Sequence, residues 1–195
     1  MSSPCLNRLP LAGLLLPVAL MLSLSAGCGA EQGGSAAGGG GAAPGTTVQK
    51  VTPSDRVYTV EDLEAAGLKT LHHYDVSGLP EAVDAWHLSF KPEGKYLEYE
   101  ARFYSSHNDA VTHGTAWAET GAGETAVIIG DDVWWSEGQT HRRKCSRAAE
   151  TPHSGCAYSP LYGDFIILGN MILMCEGPNS QEALHACRGV LAELQ

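Results

Sequence analysis

The chain has few basic side chains. It contains 12 Lys and Arg against 22 Asp and Glu, which gives a formal net charge of −10 at pH 7. Nucleic acids and anionic lipid headgroups are bound through basic surfaces. The composition therefore excludes nucleic acid as an expected partner and argues against electrostatic binding to a membrane surface.

The sequence also lacks the short motifs that carry common enzyme chemistry. Gly-x-Ser-x-Gly, His-Glu-x-x-His, Ser-x-x-Lys, the P-loop and the dinucleotide fingerprint are all absent. No two cysteines have the close spacing of a zinc site, and His107 and His113 lack the i,i+4 spacing that places side chains on one face of a helix. We therefore predict no catalytic residue, no metal site and no cofactor.

A long run of apolar residues occurs only near the start, at residues 9–28. Pro10 and Pro17 interrupt it, and a membrane-spanning helix needs about 20 consecutive apolar residues. Arg8 is the only charged side chain that precedes the run. This pattern is typical of a cleaved signal peptide rather than a spanning helix.

The end of that run, residues 23–28, places small side chains directly before Cys28 and resembles the lipobox of bacterial lipoproteins. Ser25 stands where the lipobox most often has leucine, and the resemblance covers residues 1–28 only. It implies cleavage before Cys28, a diacylglycerol on the Cys28 sulfur, and anchoring on the extracytoplasmic side of the cell membrane or outer membrane. A single acyl chain binds a bilayer only marginally, whereas two or three anchor stably. An ordinary secretory signal cut near Ala30, or an uncleaved membrane anchor, are the alternatives.

Composition divides the chain into three parts. Residues 1–28 are the predicted lipoprotein signal peptide. Residues 29–47 are mostly Gly, Ala and Ser, which cannot bury enough apolar surface to fold, so they predict a disordered tether. Residues 48–195 predict one globular domain.

The domain alternates between strand and helix signals. Period-two alternation at 86–90 and 97–104 predicts an antiparallel pair with one face exposed to solvent, and Gly169-Asn170 predicts a second hairpin between 164–168 and 171–175. Capping signals predict helices at 60–66, 107–119 and 180–194. Further predictions are strands at 68–74, 125–129, 132–136 and 139–145, a helical turn at 80–85, and a loop at 146–160.

Two segments, 86–119 and 164–194, share the order strand, turn, strand, capped helix. A duplicated unit of this kind would build an antiparallel sheet with both helices on one face. We therefore predict an α+β fold, an antiparallel sheet with helices packed mainly on one face, stapled by two disulfides.

Four cysteines of the domain are candidates for those disulfides: Cys145, Cys156, Cys175 and Cys187. An exported domain favours disulfides over free thiols. Cys187 lies on the apolar stripe of the last predicted helix, and Cys175 ends the strand before it. The predicted pairs are Cys175–Cys187 and Cys145–Cys156.

One basic cluster interrupts the acidic chain and could receive an anion or an acidic partner: His141, Arg142, Arg143, Lys144 and Arg147. The alternative is a charged edge strand that discourages aggregation.

An acidic and aromatic stretch could form a carbohydrate or cation site: Asp131, Asp132, Trp134 and Trp135. Because neighbouring strand residues face opposite ways, one of these two tryptophans is expected in the core.

The expected function is that of a lipid-anchored extracytoplasmic lipoprotein for binding, sensing or envelope assembly. Its partners are the membrane, through the lipid on Cys28, and an unknown protein or small ligand. The alternatives are an exported, hydrolase-like enzyme without a readable motif and a purely structural envelope protein. A concave pocket would favour an enzyme or a small ligand, and a flat apolar patch would favour a protein partner.

Overall fold

The computed structural model of the protein describes residues 48–146 and 157–194. The predicted signal peptide, lipobox and tether lie outside these residues. Within them, no helix is long and apolar enough to cross a bilayer.

Strands and short helices alternate through the described part of the chain. The strands are β1 (Val51–Thr52), β2 (Lys69–His73), β3 (Ala82–Phe90), β4 (Leu97–Tyr104), β5 (Arg143–Ser146), β6 (Ala157–Pro160), β7 (Tyr162–Leu168) and β8 (Met171–Glu176). The helices are α1 (Val60–Ala65), α2 (His107–Asp109), α3 (Thr115–Glu119) and α4 (Ser180–Glu193). A π-helical turn, Ala110–Gly114, joins α2 to α3.

The main sheet has six strands in the order β1-β7-β8-β4-β3-β2, and β5 and β6 form a separate hairpin. Every pair in the main sheet is antiparallel except β1 with β7, which is parallel. The two predicted hairpins, β3–β4 and β7–β8, join through β4 and β8 at the centre. The α+β class and its antiparallel sheet are confirmed.

Helices cover both faces of this sheet. On β4, Tyr99, Ala101 and Phe103 join one core cluster with α1 and α4, whereas Tyr104 joins a second cluster with Ala110 and Ala118 of the 107–119 segment. α1 and α4 therefore share one face, as predicted, whereas 107–119 lies on the other. The two strand-turn-strand-helix segments, 86–119 and 164–194, thus place their helices on opposite faces of the sheet. They lack the symmetry that a duplicated unit would give.

The predicted solvent-exposed face of β3 and β4 is also buried. Glu100 and Arg102 of β4 and His87 and Ser89 of β3 are all buried. Polar alternation normally indicates a wet face. Here the polar face lies beneath 107–119 and the turns that follow.

Three local predictions differ from the structure. The segment 125–129 is not a strand, because Gly123 and Gly130, with φ angles of 86° and 89°, reverse the chain at both ends. The predicted strands at 132–136 and 139–145 do not pair with each other in the described residues; β5 (Arg143–Ser146) pairs with β6 instead. Residues 82–85 of the predicted helical turn belong to β3.

Capping places the helices where the sequence predicted them. The Ser106 hydroxyl accepts a hydrogen bond from the Asp109 amide at the start of α2, and the Asn179 side chain accepts one from the Glu182 amide at the start of α4. Such caps satisfy amides that have no partner within the helix.

The turn between β7 and β8 forms hydrogen bonds with the segment before α1. Asn170 is buried; its Oδ1 accepts from the Tyr58 amide at 2.6 Å, and its Nδ2 donates to the carbonyls of Tyr58 at 3.1 Å and Tyr104 at 2.8 Å. One side chain therefore holds three segments together.

The predicted Cys175–Cys187 disulfide is confirmed, with the two Cα atoms 5.6 Å apart. Two disulfides were predicted, and this is the one whose two cysteines both lie in the described residues. The other, Cys145–Cys156, includes a residue outside the described part of the chain and stays a prediction.

Replacing both Cys175 and Cys187 with alanine should lower the free energy of unfolding by about 3 kcal/mol, because the bridge removes entropy from the unfolded chain. Urea denaturation of the wild type and the double variant measures the difference. An unchanged free energy of unfolding would show that packing alone holds α4 on the sheet.

Candidate binding site

The face of the sheet that lies beneath the 107–119 segment carries a charge cluster centred on Glu100. Arg102, two residues further along β4, lies on the same face and donates from Nε to Glu100 Oε1 at 2.7 Å. Arg142, just before β5, donates from Nε to Glu100 Oε2, also at 2.7 Å. One carboxylate therefore serves two guanidinium groups, and all three side chains are buried.

Aromatic rings enclose the two arginines. The guanidinium carbons of Arg142 and Arg102 lie 4.3 Å and 5.1 Å from the centroid of Trp135, and Arg142 lies 5.8 Å from that of Tyr74. Arg142 also donates from Nη1 to the Trp135 carbonyl at 3.0 Å. Planar guanidinium groups stack well on aromatic faces.

The arginines keep Glu100 ionised. Burial alone would raise the pKa of Glu100, but the charges and hydrogen bonds of Arg142 and Arg102 outweigh it and lower the pKa below its ordinary value of 4.5. The cluster therefore carries one negative and two positive charges.

Three histidines lie beside this cluster. The rings of His87 and His141 stack at 4.7 Å, and the ring of His72 lies 5.3 Å from that of His141. The Tyr74 hydroxyl lies 3.0 Å from His141 Nδ1. Burial, with the nearby His87 and His72, lowers the pKa of His141, which favours a neutral ring that accepts from Tyr74.

The histidines do not form a metal centre. In the described residues, no group of three or more His, Cys, Asp or Glu side chains is arranged to hold a metal ion. His87 instead pairs with Glu98 at 2.8 Å, and His73 stacks on Trp86 at 4.2 Å.

A groove of about 1050 Å³ opens between the exposed side of α4 and the ends of β7 and β8. Charged side chains of both signs line it, among them Glu93, Lys95, Lys144, Glu176, Glu182 and Arg188. Leu97, Leu161 and Ala186 add apolar surface. The groove is therefore a concave surface with a mixed charged and apolar lining.

The groove connects to the histidines through Glu176. Its carboxylate lies 3.6 Å from Lys144 Nζ and accepts from the Glu98 amide at 2.9 Å. Glu98 in turn pairs with His87. Glu98 therefore contacts Glu176 of the groove through its backbone amide and His87 through its side chain.

The structure divides the described residues of the predicted basic cluster among four environments. His141 belongs to the histidine group, and Arg142 is buried against Glu100. Arg143 lies over the Tyr158 ring at 4.5 Å, and Lys144 lines the groove. Arg147 lies outside the described residues. The cluster is therefore not one continuous surface.

The acidic and aromatic stretch is divided between the core and the surface. Trp135 is 5% exposed and belongs to the core, whereas Trp134 is 55% exposed and contacts the edge of Trp117 at 5.3 Å. The expectation that one tryptophan packs inside is confirmed. Asp131 and Asp132 are both exposed.

Sequence reasoning missed the cluster around Glu100. The signal was present, since Glu100, Arg102 and Tyr104 share one face of β4. This alternation predicts a solvent-exposed face. The third member of the charge cluster, Arg142, lies 40 residues after Arg102 in the sequence, so no local pattern indicates that the face is buried.

The fold and site define a mixed α+β domain with a charged interior and an open groove. Residues 59–195 match a family model described as a family of unknown function, DUF6810, and the chain belongs to this family. The matched range contains the whole charge cluster, the histidines and the groove. No curated protein and no solved structure matches the chain.

Replacing Glu100 with glutamine should lower the free energy of unfolding by about 3–5 kcal/mol, because it leaves two buried guanidinium groups without their shared counter-charge. The matched control is Glu98→Gln, which removes a partly exposed carboxylate and should cost no more than about 1 kcal/mol. Urea denaturation measures both. Equal losses would contradict the central role of Glu100.

The same variant should change the acid stability. Because the pKa of Glu100 is lowered in the folded state, its contribution is complete above the unfolded value and is lost as the pH falls through the folded value. Below pH 4.5, the difference in stability between the wild type and Glu100→Gln should therefore shrink.

Proposed function

We propose that the protein is a lipid-anchored extracytoplasmic binding protein whose ligand occupies the groove beside α4. The observation that carries the proposal is the apolar run that ends at Cys28, because it fits an acylated membrane anchor. The acidic composition agrees with a lipid anchor, since a chain of net charge −10 would not be held at an anionic membrane by basic side chains.

Two features of the domain support this placement. The buried Cys175–Cys187 disulfide suits an oxidising, extracytoplasmic compartment. The groove supplies a concave surface, which favours a small molecule or short peptide over a large flat partner.

The anchor is tested by Cys28→Ser in the full-length protein. The variant should leave the membrane fraction or remain unprocessed, because the serine hydroxyl cannot take the thioether-linked lipid. Cys5→Ser is the matched control and should behave as the wild type. Carbonate-washed membrane fractions and the intact mass of the mature protein report the outcome, and unchanged values for Cys28→Ser would refute the anchor.

The groove is tested with the fluorescent probe anilinonaphthalene sulfonate, which has an apolar ring system and a single negative charge. The wild type should bind it saturably in the native state. Ala192→Trp, which fills the groove lining, should weaken binding at least tenfold, whereas Ala65→Trp, an exposed alanine on α1, should not. Equal binding by both variants would place the probe elsewhere and contradict a groove site.

A further inference from the structure

The charge cluster has more hydrogen-bond donors than acceptors. In the described residues, five buried side-chain polar atoms lack a hydrogen-bond partner: Arg102 Nη1, Tyr104 Oη, Trp135 Nε1, Arg142 Nη2 and Tyr162 Oη. All five can donate. Three belong to the cluster or to the strand that carries it. Trp135 packs against both guanidinium groups, and Tyr162 interacts electrostatically with Glu100 and Arg142. A buried surplus of donors calls for an acceptor.

The cluster also has a surplus of positive charge. Arginine stays protonated in proteins, so Arg102 and Arg142 supply two positive charges against the one of Glu100. Burial raises the pKa of Tyr74, Tyr104 and Tyr162, so these phenols remain neutral and cannot compensate.

Two further carboxylates of the described residues, Glu98 and Glu137, already have other partners. Glu98 pairs with His87 at 2.8 Å, and Glu137 lies 3.7 Å from His72 at the surface. An isolated buried charge is among the most expensive features that a fold can contain. A bound water would satisfy the free donors but would leave the charge.

We propose that the interior of the domain binds one small monovalent anion, of the size of a halide, between the guanidinium groups of Arg102 and Arg142. The side chains of Arg102 and Arg142 are 2% and 5% exposed and that of Glu100 is 0% exposed, which leaves no opening for a large ligand. The anion completes the charge balance and accepts from the free guanidinium nitrogens.

Gly121 sits against both arginines on the side away from the sheet. A Cβ atom at this position would lie 3.3 Å from Arg102 Nη2, 3.5 Å from Arg142 Cδ and 2.8 Å from Met174 Cε. Gly121 therefore lets the chain approach both arginines more closely than any residue with a side chain could. The site is distinct from the groove and does not depend on the proposed function.

The first experiment uses crystals of the wild-type protein grown in sodium bromide. An anomalous bromide peak in contact with the free nitrogens of Arg102 and Arg142 would support the proposal. Water density there without an anomalous peak, or bromide only at exposed groups such as Lys144, would overturn it.

The second experiment measures the melting temperature while sodium chloride replaces sodium gluconate at constant ionic strength. Gluconate is too large for the site, so chloride should raise the melting temperature saturably, on the order of 5 °C. Arg102→Met leaves a balanced Glu100–Arg142 pair and should abolish the response. Arg143→Met removes an equal charge outside the cluster and should retain it.

The variants separate specific binding from general salt effects. A response that is equal in the wild type, Arg102→Met and Arg143→Met would be a bulk solvent effect and would contradict the site. If Arg102→Met fails to fold, the bromide experiment on the wild type still decides.

Discussion

One buried carboxylate ties together parts of the chain that are distant in sequence. Glu100 belongs to the central strand β4, and through Arg142 it holds the turns that lead to β5. Arg142 also packs against the rings of Trp135 and Tyr74. The turn that contains Trp135 and the residue after β2 therefore cover the same face of the sheet. Without that carboxylate, this face would present two bare cations to a layer of aromatic rings.

Such a cluster adds less to the stability of the fold than its short contacts suggest. Removing three charged groups from water costs several kcal/mol each, and their mutual attraction repays that cost only in good geometry. The opposite face of the sheet is conventional, with Tyr99, Leu173, Cys187 and Val190 in one apolar cluster. The charged face also buries an apolar cluster around the 107–119 segment. Apolar burial therefore stabilises both faces, and the charge cluster is confined to one of them.

The elements predicted correctly from the sequence depend on local chemistry. Ser106 and Asn179 cap helices, Gly169 and Asn170 turn a hairpin, and Cys187 lies on the apolar stripe of its helix; each signal acts within a few residues. The burial of Glu100 and Arg102 could not be read in this way. Their alternation on β4 is identical to that of a solvent-exposed face, and only a partner far along the chain reverses its meaning.

The way in which β1 and Asn170 hold the start of the domain has a mechanical consequence. The amides of Ile167 and Gly169 donate to the carbonyls of Lys50 and Thr52, and Lys50 Nζ pairs with Asp164 at 2.7 Å. Tension that enters the domain at residue 48 acts along a short parallel strand and loads these bonds together, in shear. The next contacts along the chain are the hydrogen bonds between the Asn170 side chain and the Tyr58 backbone, which precede α1. A domain held by its N terminus would thus resist extension at its edge, and its charged interior would be shielded from the pull.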